Sequence, residues 1–437
     1  CQMVSLKAPE GYNIESLEAF AKTYQEEYEQ DNKTYRTPNV IVVMNEAFSD
    51  LQEVENFETN VDVTPVIHSL SENTIKGTAY SSVYGGKTSN SEYEFLTGHP
   101  TVFLNDVVPF QFLIKKPMAN LTSILRKNDY QGMLAIHPHF RRGYNREIAY
   151  DNLGFERFLA IEDMPSDREI VRNHMSDKEH VNQLIAHYEA LRAESDAPVY
   201  LYSVTMQNHS PWDEPFDNFT PDVKVTDERL LANEDVNLFQ IEQYLSLVKL
   251  SDASLGILID YFSQVEEDTV IVFFGDHQPK LGGAYYSTLF GKKTSEFTQE
   301  ENMQKYEVPY VIWTNYDIEE KEYGDISLNY LSTVMMDGAD MKLPPYNRFL
   351  LDMMEEVPVL TVNGYRDKNN VFYGEINEEL FSQIEIEVKL NGDVIEDMAF
   401  DSIITAVTEG KVEIKSELTL LHHLTSINIQ LPTTCAE

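Results

Sequence analysis

The sequence predicts an α/β fold: a doubly wound, mostly parallel sheet flanked by helices, followed by a small antiparallel β-rich appendage at the carboxyl end. Two observations predict the sheet. Short β-branched and aromatic runs, NVIVVMN at 39–45 and TVIVFF at 269–274, stop abruptly at polar residues, as buried parallel strands do. Strand-like runs also alternate with helix-like runs along most of the chain, which is the pattern of a crossover-connected parallel sheet. A third observation predicts the appendage. After Pro358, Ile384, Ile386, Val388 and Leu390 interleave with Glu385, Glu387 and Lys389 and then meet Asn391-Gly392, a strong hairpin-turn pair.

Taken in order, residues 15–31 read as an amphipathic helix and 39–44 as the first core strand. GGKTSNSEYEFLTG at 85–98 reads as a loop entering a helix, with Ser89 and Glu92 spaced as a capping box, so that Thr88 falls just before the helix amino end. No strand is evident ahead of this loop. Further strands are expected at 131–136, 198–206, 269–274 and 308–313, with helices over 178–193 and 240–264. Alternation returns at 411–420 and 427–431. The chain therefore divides into a lead-in with one helix (1–37), a main α/β domain (38–356) and the β-rich appendage (357–437).

Composition bounds the function. A hydrophobic content of 42% over 437 residues is ample for a real core. The net charge of −40 argues against nucleic acid as a partner and against broad adhesion to an anionic surface, because both need basic patches. A local basic pocket inside that envelope can still bind one phosphate. Cys1 and Cys435 are too few for a disulfide framework or a zinc–thiolate site. No stretch approaches the roughly 18 to 20 apolar residues of a membrane-spanning helix. The chain opens with CQMVSLKAPE and carries no initiator methionine, so a preceding membrane or targeting segment is expected to have been removed.

Strand ends supply the candidate chemistry. In open α/β sheets ligands bind beyond the carboxyl ends of the strands. Glu46 follows one such run and Asp276-His277 the other, which makes the three candidate ligands of one ion, with Gly275 allowing the tight turn that lets neighbouring side chains converge. A hydroxyl beside a divalent cation can lose its proton and attack phosphorus, and Thr88 at a helix amino end is the candidate. Gly86-Lys87-Thr88 also matches the end of a nucleotide-binding P-loop, but Ser81 stands where that pattern requires glycine. HPHFRRGYNRE at 137–147 crowds His137, His139, Arg141, Arg142 and Arg146 into one segment; Arg141 and Arg142 read best as a solvated loop balancing carboxylates, leaving Arg146 for a phosphate. His209 lies beyond another strand end, placed to bind substrate or protonate a leaving oxygen.

The ordered blocks NEAFSD, GKTSNSEYEFLTG, GYNRE with LGFERF, SVTMQNHSPW and FFGDHQP resemble the extracellular catalytic domain of lipoteichoic acid synthases, within the sulfatase-like branch of the alkaline phosphatase superfamily. The similarity runs from about residue 8 to about residue 367. It implies a manganese or magnesium ion held by Glu46, Thr88, Asp276 and His277, with Thr88 as nucleophile, and a glycerol phosphate group bound by Arg146 and His209. Tyr144 stands where the best-known synthases carry tryptophan in the substrate pocket. The resemblance further implies a phosphatidylglycerol-like lipid donor, a polyanionic glycerolphosphate chain as acceptor, membrane helices ahead of residues 1–37, and a place on the outer face of a bacterial membrane, Gram-positive by analogy. A metal-dependent phosphodiesterase and a phosphoethanolamine-type transferase are the rival readings. Sulfate-ester hydrolysis is disfavoured, because neither cysteine sits in the C/S-x-P-x-R pattern of true sulfatases.

Overall fold

Asn39–Asn45 (β1) lies near the middle of an eight-stranded sheet in the computed structural model of the chain, which describes residues 14–104, 107–374, 385–390 and 393–399. The strands that follow are Thr74–Tyr80 (β2), Gln131–His137 (β3), Arg157–Ala160 (β4), the short hairpin Ile170–Val171 (β5) and His174–Met175 (β6), then Val199–Val204 (β7), Thr269–Gly275 (β8), Glu307–Thr314 (β9) and Ile326–Ser327 (β10). All but β5 and β6 join the main sheet, in the order β10-β2-β9-β8-β1-β7-β3-β4. Neighbours run parallel except β9, which is antiparallel to both β2 and β8. The fold is thus the doubly wound, mostly parallel sheet that the sequence predicts.

Alternation along β1 explains why its sequence is apolar throughout. Val40, Val42 and Met44 enter the core on one face of the sheet while Ile41 and Val43 enter the core on the other. β8 divides in the same way, Val270, Val272 and Phe274 against Ile271 and Phe273. Each such side chain stabilises the fold by about 1.5–3 kcal/mol relative to exposure. The helices Asp177–Glu194 and Leu238–Phe262 cover one face; Thr88–Thr97, Leu121–Lys127 and Pro345–Glu356 cover the other. The helix Ile14–Gln30 packs on Pro345–Glu356 through an edge-to-face contact of Phe20 with Phe349 and a bond from the Tyr24 hydroxyl to Asp352.

Two expectations change. A strand does precede the 85–98 loop: β2, whose TIKGTAY hides its strand character because its middle residues Lys76, Gly77 and Thr78 are not buried. Capping by Ser89 and Glu92 also fails, for reasons given with the site below. After the main domain, Val359–Thr361 (β11), Gly364–Arg366 (β12) and Phe372–Tyr373 (β13) form an antiparallel sheet. Glu385–Leu390 (β14) and Asp393–Ala399 (β15) pair antiparallel; the expected turn at Asn391-Gly392 lies outside the described residues. The alternating runs at 411–420 and 427–431 lie outside the described residues.

Register sets the site. β1 and β8 pair in parallel from Asn39 opposite Thr269 to Asn45 opposite Gly275, so Glu46 and Asp276 leave adjacent strands at the same level. The chain after β1 doubles back through Ala47, at φ 49°, and lays the Phe48 carbonyl against Gly275. A Cβ at position 275 would sit 1.9 Å from that oxygen. Gly275→Ala is therefore expected to destabilise the protein by about 3 kcal/mol in urea unfolding. A change below about 0.5 kcal/mol would mean that the turn relaxes without cost.

Candidate active site

Glu46, Asp276 and His277 converge: one potential ligand atom from each lies within 4.8 Å of the others, and all three residues are buried. Their free atoms point to a shared cation. Asp276 Oδ1 accepts the backbone N–H groups of Ala47 at 2.6 Å and His277 at 2.9 Å, whereas Oδ2 makes no hydrogen bond. His277 Nδ1 is engaged with the Gln278 carbonyl at 3.0 Å, which makes Nδ1 the protonated nitrogen and leaves Nε2 a lone pair. Nε2 also makes no hydrogen bond, although it lies 3.2 Å from Asp276 Oδ2 and 3.7 Å from Glu46 Oε1. Buried polar atoms without partners are costly, and two of them facing one point beside a second carboxylate fit a divalent ion. Burial, reinforced by Asp276, pushes the Glu46 carboxyl well above the usual carboxylate range.

Thr88 completes the group. Its hydroxyl donates to Glu46 Oε2 at 3.2 Å, and it is the first residue of the helix Thr88–Thr97, every residue of which is buried. The preceding loop is fastened to the segment beyond Asp276. Gly85 N–H bonds the Gln278 carbonyl at 3.1 Å, and a side chain at Gly85 would strike Lys280 Cβ at 2.6 Å. Lys87 then takes a left-handed conformation at the cap position, with no side-chain cap. Ser91 Oγ closes the connection by donating to the Asp276 carbonyl at 2.6 Å.

The helix therefore starts two residues earlier than a Ser89 cap requires, and Glu92 is spent elsewhere. Arg146 Nε and Nη2 donate to Glu92 Oε1 at 2.9 and 2.6 Å, and the Tyr150 hydroxyl donates to Oε2. Neutralising a buried guanidinium outweighs a capping bond, because a broken buried pair costs about 3–5 kcal/mol and a lost cap about 1. Burial opposes the Arg146 charge, yet Glu92 more than offsets it and holds the guanidinium above its ordinary pKa. Nη1 stays outside this pair.

A cavity of about 500 Å³ brings the remaining candidates together. Glu46, Thr88, Tyr144, Arg146, His209 and His277 line it; Asp276, wholly buried, lies behind. Tyr144 stacks beside the Arg146 guanidinium at 5.1 Å. His137 and His139 reach the same cavity, and burial followed by the Arg146 charge lowers the pKa of both. Arg141 pairs with Asp163 and bonds the Phe158 carbonyl, the carboxylate-balancing role expected of it.

Sequence reasoning missed the clamp on His209. Arg172, at φ 53° in the turn between β5 and β6, donates to the carbonyls of Gln207 at 2.9 Å, His209 at 2.6 Å and Pro211 at 2.6 Å. His174 packs its ring against His209, centroids 5.6 Å apart. Nothing in REIVRNHM marks either residue; only the tertiary contact does. Lys280, which lines the cavity two residues beyond Gln278, carried no more than its closeness in sequence to Asp276-His277.

Comparison with known proteins accords with this fold. A family model described as Sulfatase matches residues 38–341. A candidate cyclic beta-1,2-glucan modification protein of Rhizobium meliloti is 30% identical over 366 residues, covering 82% of this chain and 54% of that protein. The chain spans about half the length of the curated relatives it matches. Among solved structures, the Streptococcus pyogenes phosphoglycerol transferase GacH, in complex with sn-glycerol-1-phosphate, superposes with a TM-score of 0.68 at 26% identity, over 81% of this chain and 89% of that one. The Listeria monocytogenes lipoteichoic acid synthase LtaP shares the fold, with a TM-score of 0.57 at 18% identity over 82% and 93%.

Two outcomes are expected. Glu92→Gln should destabilise the protein by about 3–5 kcal/mol in chemical denaturation, because Arg146 keeps its charge and loses its counter-ion. Burial and then His209 lower the His174 pKa from 6.5 to about 4. A depressed histidine pKa contributes stability that is complete above the ordinary value and is lost as pH falls through the folded-state value. Thermal melts should therefore show wild type losing ground to His174→Gln between pH 6.5 and 4; parallel curves would mean that His174 is not held neutral.

Proposed function

The chain belongs to the sulfatase family, and within it we propose a metal-dependent phosphotransferase that moves glycerol phosphate from a phosphatidylglycerol-like lipid to a polyglycerolphosphate chain through a phospho-threonine at Thr88. The observation that carries this reading is the Thr88 hydroxyl at the amino end of a buried helix, 3.2 Å from Glu46, in one cavity with Arg146 and His209. Similarity to a phosphoglycerol transferase captured with sn-glycerol-1-phosphate supports the choice of transferred group.

Glu46, Asp276, His277 and Thr88 would hold the ion. Three oxygen donors and one imidazole suit manganese or magnesium. When bound, such an ion supplies positive charge that favours the threonine alkoxide and the phosphoryl oxygens in the transition state.

The protein's own groups do the rest. Thr88 Oγ attacks phosphorus and passes its proton to Glu46 Oε2. The bond from phosphorus to the diacylglycerol oxygen breaks, and His209 Nε2 protonates that oxygen. His209 Nδ1 is engaged with the Ser210 carbonyl at 2.8 Å, which leaves Nε2 for this task. In the second step an acceptor hydroxyl gives its proton to His209, attacks the phospho-threonine and returns Thr88 to its free form with the proton from Glu46. Arg146 Nη1 and the helix amino end supply positive potential toward the phosphate oxygens, while Tyr144 bounds the head-group space. A glycan hydroxyl is the second reading for the acceptor, favoured by similarity to proteins of glucan modification and capsular polysaccharide biosynthesis. A lipid donor of this kind assigns the reaction to the outer face of a bacterial membrane, with the full-length protein anchored there.

Intact mass after incubation with manganese and phosphatidylglycerol tests the reading. The wild type should gain one glycerophosphate and release diacylglycerol; Thr88→Ala should do neither, with turnover down at least a thousandfold and the melting curve unchanged. Chelation should abolish turnover, and added manganese should restore it. Undiminished activity in Thr88→Ala sinks the proposal.

A further inference from the structure

All three exposed phenylalanines among the described residues sit next to a residue that lines the cavity. Phe112, 64% exposed, follows Gln111; Phe140, 65% exposed, follows His139; Phe239, 36% exposed, precedes Gln240. Single exposed apolar residues are ordinary, but a chain whose other described phenylalanines are all buried or half-buried and that keeps these three at one opening has a patterned surface. Two of the three segments adjoin in space. Asn145 Nδ2 bonds the Phe110 carbonyl at 3.3 Å, and Gly143 N–H bonds the Phe140 carbonyl at 2.8 Å, so the helix Pro109–Phe112 and the turn after Phe140 share one side of the opening.

Charge on those segments runs against the rest of the molecule. Lys115, Lys116 and Arg142 are exposed and have no carboxylate partner among the described residues, in a chain whose net charge is −40. The Lys115 ammonium folds back onto the Gln111 carbonyl at the cavity edge. Acidic groups are also near: Glu147 on the helix after Arg146, Asp213 in the cavity lining, Glu162 and Asp163, which are taken up by the Arg141 N–H and guanidinium, and Glu234-Asp235 ahead of Phe239. Aromatic side chains flanked by unneutralised lysine and arginine form the surface that settles at the interface of an anionic bilayer: rings insert at head-group depth and each cation is drawn to the lipid charge.

We propose that the cavity mouth docks on an anionic lipid bilayer, Phe112, Phe140 and Phe239 entering the interface and Lys115, Lys116 and Arg142 meeting the head groups. A lipid phosphodiester then reaches Thr88 without leaving the membrane. The inference rests on the lipid-donor reading above, but its test separates the two, because docking is measured without turnover.

The 437-residue chain is sedimented with vesicles of phosphatidylcholine alone and of phosphatidylcholine with phosphatidylglycerol. Wild type and Thr88→Ala should both bind the anionic vesicles, and neither should bind the neutral ones comparably. Combined Phe112→Ser, Phe140→Ser and Phe239→Ser should lower the bound fraction at least fivefold and slow turnover of vesicle lipid to match. Turnover of a short-chain, water-soluble phosphatidylglycerol should stay within twofold of wild type, which also reports that the variant is folded. The proposal is overturned if the triple variant still binds, if wild type binds neutral and anionic vesicles alike or not at all, or if soluble turnover falls in parallel. Self-association that the serine variant abolishes, without vesicle binding, would assign the rim to a second copy and overturn it too.

Discussion

The in-register parallel pairing of β1 with β8 is the constraint on which the rest depends. It sets Asn45 opposite Gly275, so two carboxylates leave the sheet side by side in a place where water is scarce. Such an arrangement is electrostatically unfavourable by itself, since like charges in a low dielectric repel and burial penalises each of them. The surroundings answer that burden in part with oriented donors rather than with a basic side chain, backbone N–H groups on Asp276 Oδ1 and a hydroxyl on Glu46 Oε2, while the His277 imidazole turns a lone pair toward the same point. What remains unbalanced matches the charge of a divalent ion.

A second layer of organisation keeps positive charge fixed a short distance away. Glu92 neutralises one edge of Arg146 and leaves another for the cavity, while His137 and His139, lining the same space, are held neutral by burial and by that guanidinium. The cavity thus presents a permanent cation beside groups that can donate or accept without adding charge. That combination suits a phosphate diester, which carries one negative charge in the ground state and more in transfer. Arg172 extends the same economy to backbone, gathering three carbonyls so that the His209 loop has one conformation to adopt.

Much of this was legible in the sequence, and the reason is directional. Strand ends announce themselves: apolar runs that terminate at Glu46 and at Asp276-His277 give both the element and the point where it stops, and helix spacing placed Thr88 within two residues of where it stands. What stayed hidden depends on partners distant in the chain. Glu92 looks like a capping residue until Arg146 arrives from 54 positions away, and only then does pairing beat capping. Arg172 and His174 lie in a polar hairpin with no periodicity, and their partners come from the far side of β7. β2 was hidden for a different reason, because its central residues Lys76, Gly77 and Thr78 are not buried, so it lacks the solid apolar run of its neighbours.

The Gly85–Lys87 loop leans on Lys280, and Ser91 holds the carbonyl of a residue 185 positions later. The proposed nucleophile and ligands are consequently one knot tied from β1 and β8. During synthesis the threonine emerges early, yet its surroundings cannot form until the chain has been made past residue 280. The proposed site is thus incomplete until both strands are in place, and it closes in one step of assembly instead of accumulating residue by residue.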